Sequence, residues 1–228
     1  MPMTAASPYR IALINPNTST ATTAQMLAIA RQSLPPQASL SGLTAPHGPA
    51  LISSPQALEQ AAQMVLAYGR EVAEQGFDSL IIAGFGDPGL QALRGAIALP
   101  VTGLAEAGIG EAACAGRRFS IVTVTPELDA SLLESAQRYG HGHALASIRY
   151  TDGELDEVMA DPLRLELALT RACQLAMDHD GAQAIVIGGG PLASAARAIA
   201  RRLPIPIIDP VGAAVRLACA RADRRLDR

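Results

Sequence analysis

Short unbroken apolar runs recur along the chain, and each ends in a cluster of glycine, proline or small polar residues. Residues 11–14 close in Asn15-Pro16-Asn17-Thr18-Ser19, residues 80–83 in Gly84-Phe85-Gly86-Asp87-Pro88-Gly89, and residues 184–187 in Gly188-Gly189-Gly190-Pro191. Runs this short and rich in isoleucine, leucine and valine predict buried parallel strands whose carboxyl ends feed helices. Between them the apolar spacing widens to helical periods. Residues 54–75 carry Leu58, Ala62, Val65 and Val72 on one face, which predicts a long amphipathic helix starting at Pro55 behind a Ser54 cap. By the same logic Asp87 caps a helix that starts at Pro88 and runs to about Ile97. Further strands are predicted at 39–43, around Val101-Thr102, and at 119–124, 144–150 and 205–208. Helices are predicted from Ser19 to about Leu34 and over 105–115, 127–139, 192–202 and 211–221, with more than one helix between about 152 and 177. Strand and helix alternate throughout, so the fold class is α/β with parallel sheets.

The run that ends at Gly84 has an echo 105 residues onward, Gly76-Phe-Asp-Ser-Leu-Ile-Ile-Ala-Gly84 against Gly181-Ala-Gln-Ala-Ile-Val-Ile-Gly-Gly189. A second pair agrees, because Arg10 and Arg118 each open a basic residue, apolar strand and small polar turn. Two pseudo-symmetric α/β domains are therefore expected, one from 1–112 plus 208–228 and the other from 113–207. Gly84 and Gly189 are equivalent points, predicted to face each other across an interdomain cleft at the strand ends where open α/β sheets bind ligands.

Composition narrows the chemistry. The 228 residues are 49% hydrophobic, 17% charged and 3% aromatic, which suits cores of alanine, leucine, isoleucine and valine in a soluble globular protein. A net charge of −3 and few rings to stack on bases argue against nucleic acid, and the Arg221–Arg228 cluster reads as a frayed helix end. All 18 basic residues are arginine, which removes a Schiff-base lysine and a P-loop lysine. Three widely spaced cysteines, Cys114, Cys173 and Cys219, form no disulfide framework and no metal-ligand spacing. Met1–Pro8 lacks the apolar stretch of a signal peptide, and no run reaches the ~18 residues of a membrane span. A cytoplasmic protein is expected, homo-oligomeric, with no membrane or nucleic-acid partner.

Among candidate chemistries, Gly84–Gly89 fits the GxGxxG spacing with Glu106 about 20 residues on, but Glu106 falls inside a helix and not at a strand end. His141 and His143 lack a third ligand nearby, and Cys173 and Cys219 sit on apolar helical faces as core residues. What remains is a set of small and polar residues at strand carboxyl ends: Asn15, Asn17, Ser53, Ser54, Gly84–Asp87, Thr123, Thr125, Gly188–Gly190 and Asp209. With helix N-termini at the same edge they make a pocket for a small carboxylate or imide-like anion.

These residues resemble a known family. The pieces IALINPNTS (11–19), GP (48–49), GFGDPGL (84–90), PVTGLAEA (100–107), RRFSIVTVT (117–125), GAQAIVIGGG (181–190) and IPIIDPVGAAVRLA (205–218) are similar to the aspartate/glutamate/hydantoin racemase superfamily, most closely its hydantoin and allantoin racemase branch. The resemblance implies two domains around an interdomain active site and no cofactor. It also implies a pair of cysteines, one from each half, that remove and return the α-carbon proton on opposite faces. At those two motif positions this chain has Gly84 and Gly189, and glycine carries no proton.

Three function classes follow. The first is proton transfer at the α-carbon of a hydantoin-, ureide- or amino-acid-like substrate, with Asp87, Glu106, Asp209, His47 or water replacing the thiols. The second is a lyase, decarboxylase or ring-opening reaction through a stabilised enolate in the same pocket. The third is a ligand-binding homologue without turnover. The candidate catalytic positions are Gly84, Gly189, Asp87 and Glu106, and the candidate substrate-binding residues are Asn15, Asn17, Ser53, Phe85, Gly86, Thr123, Thr125, Gly190 and Asp209.

Overall fold

The computed structural model describes residues 9–226; the expectation for Met1–Pro8 lies outside them. The first half contains strands β1 (Tyr9–Asn15), β2 (Ala38–Thr44), β3 (Ser79–Ile82) and β4 (Val101–Gly103). Helices α1 (Thr20–Ala30), α2 (Pro55–Ala73), α3 (Leu90–Ala96) and α4 (Leu104–Ala112) follow or connect them. The second half contains β5 (Phe119–Thr123), β6 (Leu145–Tyr150), β7 (Ala184–Ile187) and β8 (Ile207–Ile208). Its helices are α5 (Asp129–Arg138), α6 (Leu155–Ala160), α7 (Pro162–Asp178), α8 (Ala193–Ala200) and α9 (Pro210–Leu226). The strands form two parallel four-stranded sheets with orders β2-β1-β3-β4 and β6-β5-β7-β8, one topology used twice.

The repeat extends to single hydrogen bonds. Asp78 N–H donates to the Arg10 carbonyl at 2.8 Å while its carboxylate accepts from Arg10 N–H at 2.7 Å. Gln183 N–H donates to the Arg118 carbonyl at 2.8 Å while its side-chain oxygen accepts from Arg118 N–H at 3.0 Å. The turns before the two strands use glycines of like conformation, Gly76 at φ 76° and Gly181 at φ 71°.

Each strand sends alternate residues to opposite faces. Ile11, Leu13 and Ile81 of the first sheet, with Phe119, Ile121 and Val186 of the second, enter one central core that also takes Met26 of α1, Leu104 and Ile109 of α4, and Val211 and Val215 of α9. The outward residues Ile14, Leu80 and Ile82 pack under α2 and α3, and Val122, Ile185 and Ile187 pack under α7 and α8. Each fully buried leucine or isoleucine contributes about 1.5–3 kcal/mol, so the shared central layer fixes the two sheets relative to each other. Among the described residues no helix is long and apolar enough to cross a membrane.

Several boundaries differ from the sequence expectation for local reasons. The strand expected over 205–208 is only Ile207–Ile208, because Pro204 and Pro206 cannot donate to a ladder. The helices expected over 152–177 are two, α6 and α7, divided at Asp161, whose side chain accepts from Leu163 N–H at 2.9 Å ahead of Pro162. Arg221 is not part of a frayed end: its guanidinium pairs with Glu106 at 2.7 Å and reaches the Val101 carbonyl and the Thr102 hydroxyl.

Candidate functional site

The carboxyl ends of β1, β3, β5 and β7 open onto one cleft lined from both halves, with about 650 Å³ of empty space, open solvent included. Its polar floor consists of Asn17, Gly84, Phe85, Thr123, Thr125, Gly188, Gly189 and Gly190. Its apolar lining comes from both halves, Leu51 and Ile52 from the first and Leu128, Leu132, Leu155 and Met159 from the second. None of the residues lining it carries a titratable side chain.

Local hydrogen bonds set the floor. Asn15 is fully buried, and its amide donates to Asn17 Oδ1 at 2.9 Å and to the Thr23 hydroxyl at 3.0 Å. Asn17 Oδ1 also accepts from Ser19 N–H at 2.9 Å, so the Asn17 oxygen is engaged and its amide N–H groups are available to the cleft. The Thr123 hydroxyl donates to the Gly188 carbonyl at 2.6 Å and lies 3.4 Å from that of Thr125. Among the described residues the backbone N–H groups of Gly84, Phe85, Gly189 and Gly190 donate to no carbonyl or side chain. Such a concentration of unpaired donors suits a carboxylate, a ureide carbonyl or an enolate oxygen.

Close packing explains the glycines. A Cβ at Gly188 would lie 2.9 Å from the Phe85 ring, one at Gly190 2.3 Å from Met26 Sδ, and one at Gly84 2.7 Å from Pro16 Cγ. Gly189 has φ 156°, a conformation that side-chain-bearing residues rarely adopt.

Other residues singled out from the sequence lie off the cleft. Asp87 does not cap a helix starting at Pro88; that helix starts at Leu90 behind Gly89, which has φ 70°. Instead Asp87, itself at φ 54°, crosses to α4, where its carboxylate accepts from Ala105 N–H and Glu106 N–H, both at 2.8 Å. The α4 N-cap is Gly103, which has no side chain to do this, and a Cβ there would fall 2.2 Å from Asp87 Cγ. The Tyr139 hydroxyl, from the end of α5, donates to the same carboxylate at 2.6 Å. Burial pushes the Asp87 carboxyl up to about 6 against the pull of these three donors.

Gly86 and Asp87 line a neighbouring depression with Leu58, Glu59, Glu134 and Arg138. Glu106 is ion-paired with Arg94 at 2.6 Å and Arg221 at 2.7 Å. Its burial disfavours the charge, but the two arginines overcome this and hold the carboxyl below its ordinary value. Asp209 caps α9 through Val211 N–H at 2.9 Å and pairs with Arg197 at 2.9 Å. Ser53 is half-buried and outside the cleft lining, and His47 lines a separate hollow beside Gly48 and Met64.

None of the three cysteines lines the cleft. Cys114 is exposed, whereas Cys173 and Cys219 are buried, and burial pushes the Cys173 thiol up to about 12. Two features escaped sequence reasoning. Tyr139 carried no motif signal, and Leu128/Leu132 with Leu155/Met159 have the i, i+4 spacing that equally describes a core-facing helix stripe.

The family description Asp/Glu/Hydantoin racemase matches residues 11–218. The hydantoin racemase of Paenarthrobacter aurescens is 34% identical over 211 residues, which cover 92% of this chain and 89% of that protein. Among solved structures, allantoin racemase from Klebsiella pneumoniae superposes with a TM-score of 0.88 at 34% identity, covering 93% of this chain and 86% of that one. Allantoin racemase from Pseudomonas fluorescens gives 0.87 at 29% identity, covering 96% and 92%.

Proposed function

The chain belongs to the Asp/Glu/hydantoin racemase family, and from that premise we propose that it binds a small hydantoin- or ureide-like molecule in the cleft and promotes chemistry at the α-carbon by holding the enolate that forms there. The observation that carries this reading is the meeting of Gly84 and Gly189, with their unpaired N–H groups, in one cleft that has no titratable lining side chain. Fixed backbone donors stabilise negative charge developing on a carbonyl oxygen without reorganising. Relatives named hydantoin racemase and allantoin racemase favour a cyclic or open ureide. The walls add a preference for a hydrocarbon substituent. A free amino acid fits less well, because its ammonium would be desolvated without a carboxylate partner.

On this reading the two-thiol relay is absent. The N–H groups of Gly84, Phe85, Gly189 and Gly190, with the Asn17 amide, hold the substrate oxygen atoms. The α-hydrogen leaves to water, or to a basic atom of the substrate itself, and water returns a proton to the planar enolate.

The lack of a lining base favours one second reading, decarboxylation. Loss of carbon dioxide generates the same enolate without any proton being removed, and only a later protonation by water is needed.

One experiment separates the two. The protein is incubated in heavy water with 5-substituted hydantoins, allantoin, amino acids and 2-substituted malonates, and NMR follows deuterium at the α-carbon and loss of carboxylate. Exchange in a hydantoin above the protein-free rate supports the first reading, and turnover of the malonates alone supports the second. Turnover of the free amino acids in preference to both would contradict each.

A further inference from the structure

We propose that Asp87 is a positioning residue for the cleft, whose carboxylate, clamped between the N-terminus of α4 and the Tyr139 hydroxyl, holds the Gly84–Gly86 turn so that its N–H groups meet the ligand. The inference rests on the reading that this cleft binds substrate, and it assigns Asp87 a part in that binding although Asp87 does not line the cleft.

The geometry carries it. Asp87 N–H donates to the Gly84 carbonyl at 3.0 Å, closing the turn that presents Gly84 and Phe85 to the cleft. The turn is strained: Asp87 is a non-glycine residue at φ 54°, next to Gly86 at φ 105°. Such a backbone persists only where its surroundings over-determine it. Here the surroundings are three hydrogen bonds, from Ala105, Glu106 and Tyr139, to the carboxylate of a residue that is 3% exposed. Gly103 leaves the space that the carboxyl occupies.

Tyr139 makes the clamp a link between the halves. It follows directly on α5, and Leu128 just before that helix and Leu132 within it line the cleft from the second half. One carboxylate thus ties the floor of the first half to the wall of the second.

The arrangement is sensitive to protonation, because a neutral carboxyl loses acceptor strength towards three donors at once. Other charged groups around it are Glu106, held by Arg94 and Arg221, and Glu59, Glu134 and Arg138 in the depression beside Asp87. Burial sets the Asp87 midpoint near 6, and the Tyr139 hydrogen bond pulls that midpoint down.

The test is an NMR titration of the full chain from pH 7.5 to 5, following the Asp87 carboxyl carbon and the amides of Gly84, Phe85 and Gly86, with and without 5-benzylhydantoin. Wild type, Tyr139→Phe and Asp87→Asn are compared. In wild type the three amides should move together with the Asp87 carboxyl, midpoint about 6, and hydantoin affinity should fall in step. In Tyr139→Phe the midpoint should move upward, and in Asp87→Asn affinity at pH 7.5 should fall about tenfold or more. Amides that ignore the Asp87 titration, or an unshifted midpoint in Tyr139→Phe, overturn the proposal and leave Asp87 a helix cap only. Failure of 5-benzylhydantoin to bind at any pH counts against the proposed function, while the amide titration still decides the role of Asp87.

Discussion

Gly84 and Gly189, 105 positions apart in the chain, line the same cleft, one from the end of a strand in each sheet. The pseudo-symmetry of the two halves thus delivers equivalent points to one cleft. What those points offer is backbone N–H groups without partners among the described residues.

Placing thiols at both points should create a thiol-dependent activity. Gly84→Cys with Gly189→Cys is expected to raise hydantoin racemisation well above wild type, and either change alone to do little, because inversion needs a base on one face and an acid on the other. The cost is structural: a Cβ at 84 meets Pro16 Cγ at 2.7 Å, and Gly189 sits at φ 156° with Leu192 Cγ 3.0 Å from the new Cβ. Together these should destabilise by about 2–4 kcal/mol. Polarimetry and urea unfolding on the three variants check both parts.

Asp87 should make the fold more stable as the solution becomes mildly acidic. Its folded-state value, about 6, lies above the ordinary 3.8, so the folded protein keeps a proton that the unfolded chain has released. The group therefore opposes folding above pH 6, by about 3 kcal/mol in full, and the penalty fades as pH falls towards 4. Urea unfolding of wild type and Asp87→Asn at pH 7 and pH 5 should show wild type gaining about 1 kcal/mol on the variant at the lower pH. A carboxylate kept buried at this cost fits a role in positioning better than one in stability.

Gly103→Ala should reproduce much of the loss of Asp87 without touching its chemistry. The added Cβ would stand 2.2 Å from Asp87 Cγ, so the carboxyl must leave its seat over α4. A destabilisation of about 1–3 kcal/mol and weakened hydantoin binding are expected. Thermal unfolding and NMR titration would measure them.

Glu106→Gln separates structure from chemistry. Glu106 lies off the cleft between Arg94 and Arg221, so neutralising it should cost about 1–3 kcal/mol in stability. The rate of α-carbon exchange per folded molecule should stay within about twofold of wild type.

Met159→Arg should invert the substituent preference. Met159 stands with Leu155 on the apolar wall. A guanidinium there should disfavour 5-benzylhydantoin by about tenfold and favour a hydantoin with a carboxylate substituent, as competition binding would show.

The strands and the cleft edge were legible because their signals are local: apolar runs such as residues 80–83 and 184–187 end in glycine clusters, and the 105-residue echo aligns them. Asn17, Gly84, Thr125 and Gly189 meet in the cleft because each closes a strand that the hydrophobic pattern already marks. The role of Asp87 was not legible. Its sequence neighbours, a glycine before and a proline after, describe a local cap equally well, and only the tertiary approach of α4 and Tyr139 decides against it. Glu106 and Asp209 likewise look available in sequence, yet arginines on other elements, Arg221 of α9 and Arg197 of α8, engage them.

The most direct test of a thiol-free, enolate-stabilising cleft is the rate of deuterium incorporation at the α-carbon of 5-benzylhydantoin in heavy water, with protein pre-treated with iodoacetamide. Cys114, Cys173 and Cys219 lie outside the cleft, so alkylation should leave an exchange rate equal to that of untreated protein and above the protein-free rate. Exchange abolished by alkylation, with the fold intact by circular dichroism, would place a cysteine in the chemistry and contradict the account.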